Sequence, residues 1–192
     1  MDQDKYKSEN EQYKEFLEFK EENPDIQMKP ATVIGRDSQD YFYSFQIDVG
    51  RRHGISERDC VMTADGLVGV ITDVSENYSK VTTIFDPSLN IGVFNSVTRE
   101  TAVISGDAQL SVDGKVKLSY LPRDTEAKAG DYVITTGAGG QFPKDIIIGR
   151  IEELYLGESG ISMSAVIKPT ADIKNTKSVM VITNFLGKGD SE

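Results

Sequence analysis

The sequence predicts a mainly β fold, with antiparallel strands arranged as two small β-barrels of about six strands each or as a sandwich. An N-terminal α-helix, predicted as a coiled-coil end, precedes the strands. Residues 2–23 are polar and contain neither Gly nor Pro, which is typical of a helix. About a dozen short β-rich runs follow, separated by turn residues and without crossover helices. One hairpin pattern occurs twice, which indicates two related β-modules.

The N-terminal helix carries side chains at the spacing of a coiled-coil seam, and these predict a self-association site: Tyr6, Asn10, Tyr13 and Leu17. A second interpretation stays open, in which the helix packs on its own domain through Tyr13, Leu17, Phe16 and Phe19. Pro24 and Pro30 end the helix, because the residue before a proline is disfavoured in the helical conformation. Residues 1–29 are therefore assigned to the helix and a linker.

The β-rich runs that follow the linker occupy residues 31–35, 41–49, 60–63, 67–74, 80–85, 91–97, 102–105, 115–120, 132–135, 146–156, 162–167 and 179–182. We assign residues 30–95 to the first barrel and 96–187 to the second. A strand order that departs from the sequence order would bring the C-terminal strand, 179–182, back into the first barrel.

Two segments differ in how apolar residues alternate. In 43–49 every second residue is apolar, so Tyr43, Phe45, Ile47 and Val49 are predicted to point inward. The run 145–151 is apolar without alternation, which predicts cover on both faces.

The repeated hairpin aligns Asp59, Val61 and Thr63 with Asp131, Val133 and Thr135, and residues 67–71 with 147–151. Its glycines are predicted to serve turns and bends, because glycine tolerates backbone conformations that other residues avoid. They are Gly66 after Asp65, Gly69 and Gly149 within strands, and Gly137, Gly139 and Gly140 in a loop. No Lys-Ser/Thr pair or helix follows that loop, which argues against a phosphate-binding loop. Phe142 on the same loop either plugs the barrel end or contacts a partner.

Composition restricts the function. A net charge of −10 argues against nucleic-acid binding, which depends on clustered Lys and Arg. The one cysteine, Cys60, and the one histidine, His53, are too few for an ordinary zinc site, and we expect no cofactor or metal. A chymotrypsin-like serine hydrolase that uses His53 near Asp48 is the alternative function, although no Gly-x-Ser-x-Gly motif marks a nucleophile.

An ordered set of motifs extends from about Tyr6 to Ile182: 31–37 after a coiled-coil end, 47–50 with Gly54-Ile55, 65–71, and Thr136-Gly137-x-Gly139-Gly140-x-Phe142-Pro143 followed by Gly149. This ordered set resembles the MreC family of rod shape-determining proteins. The resemblance implies two β-barrels on the extracytoplasmic face of the bacterial cell membrane. It also implies a single-pass anchor and a cytoplasmic tail, which this sequence does not contain.

The resemblance further implies a non-enzymatic cell-envelope scaffold. Such a scaffold self-associates as a dimer or filament and organises the peptidoglycan elongation machinery that maintains cell shape. Its implied partners are a class B penicillin-binding transpeptidase, MreD, and other elongation-complex proteins such as MreB and RodA.

Overall fold

A computed structural model describes residues 2–189 of the chain, apart from the side chains of residues 2–6, 8, 9 and 12. The helices are α1 (Asp2–Glu22) and the short α2 (Ala108–Val112). The strands are β1 (Gln27–Arg36), β2 (Phe45–Ile47), β3 (Cys60–Thr63), β4 (Gly66–Val74), β5 (Ser79–Thr83), β6 (Asn90–Asn95), β7 (Thr101–Ser105), β8 (Val116–Leu121), β9 (Tyr132–Thr135), β10 (Ile147–Leu156), β11 (Met163–Pro169) and β12 (Ser178–Asn184).

The strands form two closed antiparallel barrels of six strands each. The first has the order β1-β12-β3-β4-β5-β2, and the second has the order β10-β11-β8-β7-β6-β9. Each β-rich run predicted from the sequence overlaps one of these strands. The predicted fold class, two six-stranded barrels after an N-terminal helix, is confirmed.

The chain crosses between the barrels twice. Strand β6 pairs with β7 and β9, so it belongs to the second barrel, and the boundary expected near residue 95 lies one strand too late. Strand β12 pairs with β1 and β3 and closes the first barrel. The expected linker also ends earlier than residue 29, because Gln27 already pairs with Asn184. These pairings join residues that are distant in the sequence, and local composition does not reveal them.

The repeated hairpin has the same hydrogen bonds in both barrels. Ile71 N–H donates to Asp59 O, and Ile151 N–H donates to Asp131 O, each at 2.9 Å. Each aspartate also caps the turn before its strand: Asp59 accepts from Ser56 N–H at 2.8 Å, and Asp131 accepts from Lys128 N–H at 2.9 Å. The aspartate thus stabilises the start of the first hairpin strand in both modules.

A glycine inside the second strand of each hairpin allows a neighbouring backbone to pass very close. Gly69 pairs with Val61, and Gly149 pairs with Val133. A β-carbon on Gly69 would lie 2.0 Å from Thr82 O, and one on Gly149 would lie 2.2 Å from Lys168 O. Both glycines adjoin register shifts in the ladders, where an extra residue bends a strand as the barrel closes.

The face patterns agree with the prediction in β2 and differ in β10. Phe45, Ile47 and Val49 are buried, whereas Tyr43 is half-buried and lies before the strand with φ of 57°. The prediction that residues 145–151 are covered on both faces is wrong, because Ile147 and Arg150 are exposed. The strand buried on both faces is β4, where residues 66–71 are all buried.

Strand β4 is covered because the second barrel packs directly on it. A β-carbon on Gly66 would lie 2.7 Å from both Ile147 O and Thr170 Oγ1 of the second barrel. Ala64 and Asp65 form the hairpin loop, since Thr63 pairs with Gly66. Gly66 therefore leaves room for the contact between the barrels, in addition to adjoining the turn.

The strand glycines predict a stability difference. Gly69→Ala and Gly149→Ala should each lower the free energy of unfolding by about 3 kcal/mol, because the methyl group overlaps a backbone carbonyl that cannot move without opening the barrel. Gly35→Ala in β1 is the matched control, since its β-carbon would meet its nearest neighbour at 3.7 Å. It should change the free energy by less than about 1 kcal/mol. Urea unfolding of the three variants makes the comparison, and equal effects would contradict the prediction.

Candidate partner-binding surfaces

Helix α1 divides its apolar side chains between its own barrel and the solvent. Phe16 and Phe19 are half-buried and pack against the hydrophobic core. Tyr13 and Leu17 are exposed, the latter by 56%. Asn10 is exposed as well, and the side chain of Tyr6 lies outside the described residues. Packing of α1 on its own barrel thus uses Phe16 and Phe19, and the expectation that Tyr13 and Leu17 also pack there is wrong. Self-association through the exposed side chains stays a prediction.

A groove of about 620 Å³ runs between α1, the first barrel and the crossover from β11 to β12. Its floor includes Ala31, Val49 and Met180, and Tyr13 and Phe16 line its helical wall. Four carboxylates lie on the lining, against one lysine: Glu15, Asp48, Asp65 and Asp172 with Lys177. The groove is thus an acidic recess beside the exposed side chains of α1.

His53 lies in this groove, but it has no catalytic neighbours. Its Nδ1 accepts from Gly50 N–H at 3.0 Å, and Asp48 Oδ1 accepts from Thr32 N–H at 2.7 Å. No hydrogen bond joins His53 to a serine hydroxyl among residues 2–189. A Ser-His-Asp triad needs both contacts, so this geometry contradicts the serine hydrolase alternative.

The glycine-rich loop is held from inside the second barrel. Thr135 is fully buried; its hydroxyl donates to Pro143 O at 2.6 Å and accepts from Ile146 N–H at 2.9 Å. Gly137, Gly139 and Gly140 all have positive φ. The side chain of Phe142 is only 5% exposed and belongs to the core. Phe142 therefore plugs the barrel end, and the prediction that it contacts a partner is wrong for this conformation.

The barrels present other apolar side chains to solvent that sequence reasoning missed. Tyr120 is 70% exposed and Ile161 is 79% exposed, both near one end of the second barrel sheet. Strand alternation would place Tyr120 inward with Val116 and Leu118. A register shift opposite β11 gives Tyr120 a positive φ of 71° and turns Leu121 inward instead. Such a bulge leaves no clear signal in the sequence.

The described residues offer no obvious centre for metal or thiol chemistry. Residues 2–189 contain no group of three or more His, Cys, Asp and Glu side chains able to hold a metal ion. Burial, reinforced by the charge of Asp59, raises the pKa of the Cys60 thiol, although Lys188 acts in the opposite direction. The thiol therefore stays protonated and unreactive.

Across the described part of the chain, no helix has both the length and the apolar character needed to span a membrane.

Comparisons with known proteins identify the barrels. The family model for the rod shape-determining protein MreC, barrel core, matches residues 33–183. The cell shape-determining protein MreC of Listeria monocytogenes is 30% identical over 190 residues, which cover 97% of this chain and 63% of that protein. The chain thus spans less than two thirds of the length of this relative.

Solved structures share the architecture. MreC from Listeria monocytogenes has a TM-score of 0.77 at 28% identity and is covered to 95%, with 100% of this chain. A chain from the complex between Penicillin-Binding Protein (PBP2) and MreC from Helicobacter pylori has a TM-score of 0.63, with 83% of this chain and 99% of that chain covered. Its identity of 13% shows a common fold only.

The family match covers most of both barrels, and it confirms the resemblance seen in the sequence motifs. The chain belongs to the MreC family of rod shape-determining proteins.

Proposed function

We propose that this chain is a non-enzymatic scaffold of the bacterial cell envelope, which self-associates and organises the peptidoglycan elongation machinery. The observation that carries the proposal is a complex of PBP2 with an MreC protein, in which a chain of the same fold occurs. Exposed apolar side chains on α1 and on the second barrel supply surfaces for such contacts. Aromatic and large apolar anchors dominate the energy of protein interfaces.

The proposed partners are a second copy of the chain, a class B penicillin-binding transpeptidase, and MreD with other membrane proteins of the elongation complex. The proposed location is the extracytoplasmic face of the cell membrane. A single-pass anchor before residue 1 would hold the chain there. The Listeria relative is longer than the matched region and leaves room for such a segment.

Direct binding to the transpeptidase tests the scaffold proposal. The extracytoplasmic part of a class B transpeptidase from the same bacterium should bind the immobilised chain in biolayer interferometry. Three variants, each of which places a charge on one exposed apolar surface, locate the contact: Leu17→Asp on α1, Tyr41→Asp on the first barrel and Ile161→Asp on the second. At least one should weaken binding about tenfold or more, because a buried unpaired charge costs over about 1.4 kcal/mol.

Each of these variants should keep the thermal unfolding midpoint of the parent chain, since the replaced side chains are exposed. If the parent chain shows no binding while a known transpeptidase ligand does bind, the partner proposal fails. If all three variants weaken binding by the same small factor, the added charge acts non-specifically. This result would also count against a defined binding surface.

Self-association through α1 is a separate prediction. Leu17→Asp should raise the dissociation constant of a dimer by about tenfold or more in sedimentation experiments, because it places a charge in the apolar seam. The matched control is Leu156→Asp at the end of β10, where the leucine is 50% exposed and α1 takes no part. A response of Leu156→Asp alone would move the interface to the second barrel. A parent chain that stays monomeric at all concentrations would contradict the prediction.

A further inference from the structure

The segment that follows β12, residues 185–189, runs along both barrels. Phe185 is buried in the core, and Gly187 turns the chain with φ of 86°. The ammonium of Lys188 then donates to Asp59 Oδ1 at 2.6 Å and to Thr183 O at 2.7 Å. Both acceptors belong to the first barrel or its hairpin, so the segment is fastened to that barrel.

Asp59 makes this fastening specific. Its side chain is only 1% exposed, and its second oxygen, Oδ2, already accepts from Ser56 N–H. Lys188 supplies the positive charge for this buried carboxylate. A buried carboxylate without a cation is strongly disfavoured, so the segment cannot lift away without exposing or neutralising Asp59.

The same segment touches the second barrel through its backbone. Gly189 N–H donates to Gly140 O in the glycine-rich loop at 3.0 Å. A β-carbon on Gly140 would lie 2.5 Å from Gly189 N and 2.7 Å from Gly187 O. The absence of a side chain at Gly140 therefore allows direct contact between the loop and residues 187–189.

A second lysine bridges the barrels from the crossover between β11 and β12. The ammonium of Lys174 lies 4.4 Å from the ring centre of Tyr43, which precedes β2 of the first barrel. It also donates to Val112 O at 2.9 Å, at the end of α2 in the second barrel. A cation over an aromatic ring and at a helix C-terminus is favourable in both contacts.

We propose that residues 185–189 form a strap, fastened by the Lys188–Asp59 ion pair, which together with Lys174 fixes the orientation of the two barrels relative to each other. The contact between Gly66 and β10 brings the barrels together, and the strap and Lys174 limit rotation about that contact. Surfaces on the two barrels are then presented to any partner in one arrangement. This arrangement is a property of the free chain, whatever partner the chain binds.

Distance measurements between spin labels on the full chain test the strap. Labels on Asn77→Cys and Glu158→Cys report on the two barrels, since both residues are exposed and lie in hairpin turns. Cys60 is fully buried and escapes labelling. The double variant Asp59→Asn/Lys188→Met removes both charges, so no unpaired charge remains inside, and the amide oxygen introduced at position 59 can still accept from Ser56 N–H.

This double variant should widen the distance distribution about twofold, because additional relative orientations become populated. The exchange of the Gly189 amide with solvent should accelerate by about tenfold or more, since the bond to Gly140 O opens more often. Lys174→Met should widen the distribution further when it is added. Lys128→Met is the matched control, because Lys128 is exposed and its ammonium forms no ion pair with the described residues.

The width of the distance distribution in Asp59→Asn/Lys188→Met decides whether the strap fixes the barrels, once circular dichroism shows that the strands of this variant are intact. A distribution as narrow as that of the control would overturn the strap, even if the variant is less stable. Widening with Lys174→Met but not with Asp59→Asn/Lys188→Met would likewise overturn it, because the crossover would then hold the barrels without residues 185–189.

Discussion

The close passage of one backbone past another at Gly69 and Gly149 is the constraint on which both barrels depend. In each barrel a carbonyl of the adjacent strand occupies the space where a side chain would begin. This contact allows six short strands to curve into a closed sheet. The described strands therefore leave no open edge, and a partner cannot bind by adding a strand. Any protein partner of the barrels would therefore have to contact side chains and loops.

The topology makes the barrels depend on each other. The whole second barrel is inserted between β5 and β12 of the first, so the first barrel closes only when the C-terminal strand has returned. Contacts between such distant parts of the chain carry a large entropic cost during folding. Direct packing at Gly66 then joins the two barrels into one body. The crossover between β11 and β12 and residues 185–189 each contact both barrels.

Polar groups inside this body serve the fold. Asp59 and Asp131 hold the strand entrances, Thr135 ties the glycine-rich loop, and Asn95 donates to Asp131 at 2.9 Å. Each is engaged by backbone or by a neighbouring side chain, which is the usual condition for burial of a polar group. Exposed apolar side chains remain available for recognition, and they include Tyr13 and Leu17 on α1 and Tyr120 and Ile161 at one end of the second barrel. This division suits a family whose members are described as shape-determining proteins.

Sequence periodicity alone determined the helix, all twelve strand locations and the repeated hairpin, because each depends on short-range patterns of apolar, polar and turn residues. The motif set also identified the family. The boundary near residue 95, the face of Tyr120 and the burial of Phe142 were decided by tertiary structure. Strand β6 belongs to the second barrel because it pairs with β9, which is distant in the sequence. The bulge in β8 turns Tyr120 outward without any change in composition. Phe142 is buried because its loop folds against the end of the second barrel. The pairing of Lys188 with Asp59 has the same origin, since two charges 129 positions apart meet only after the first barrel has closed.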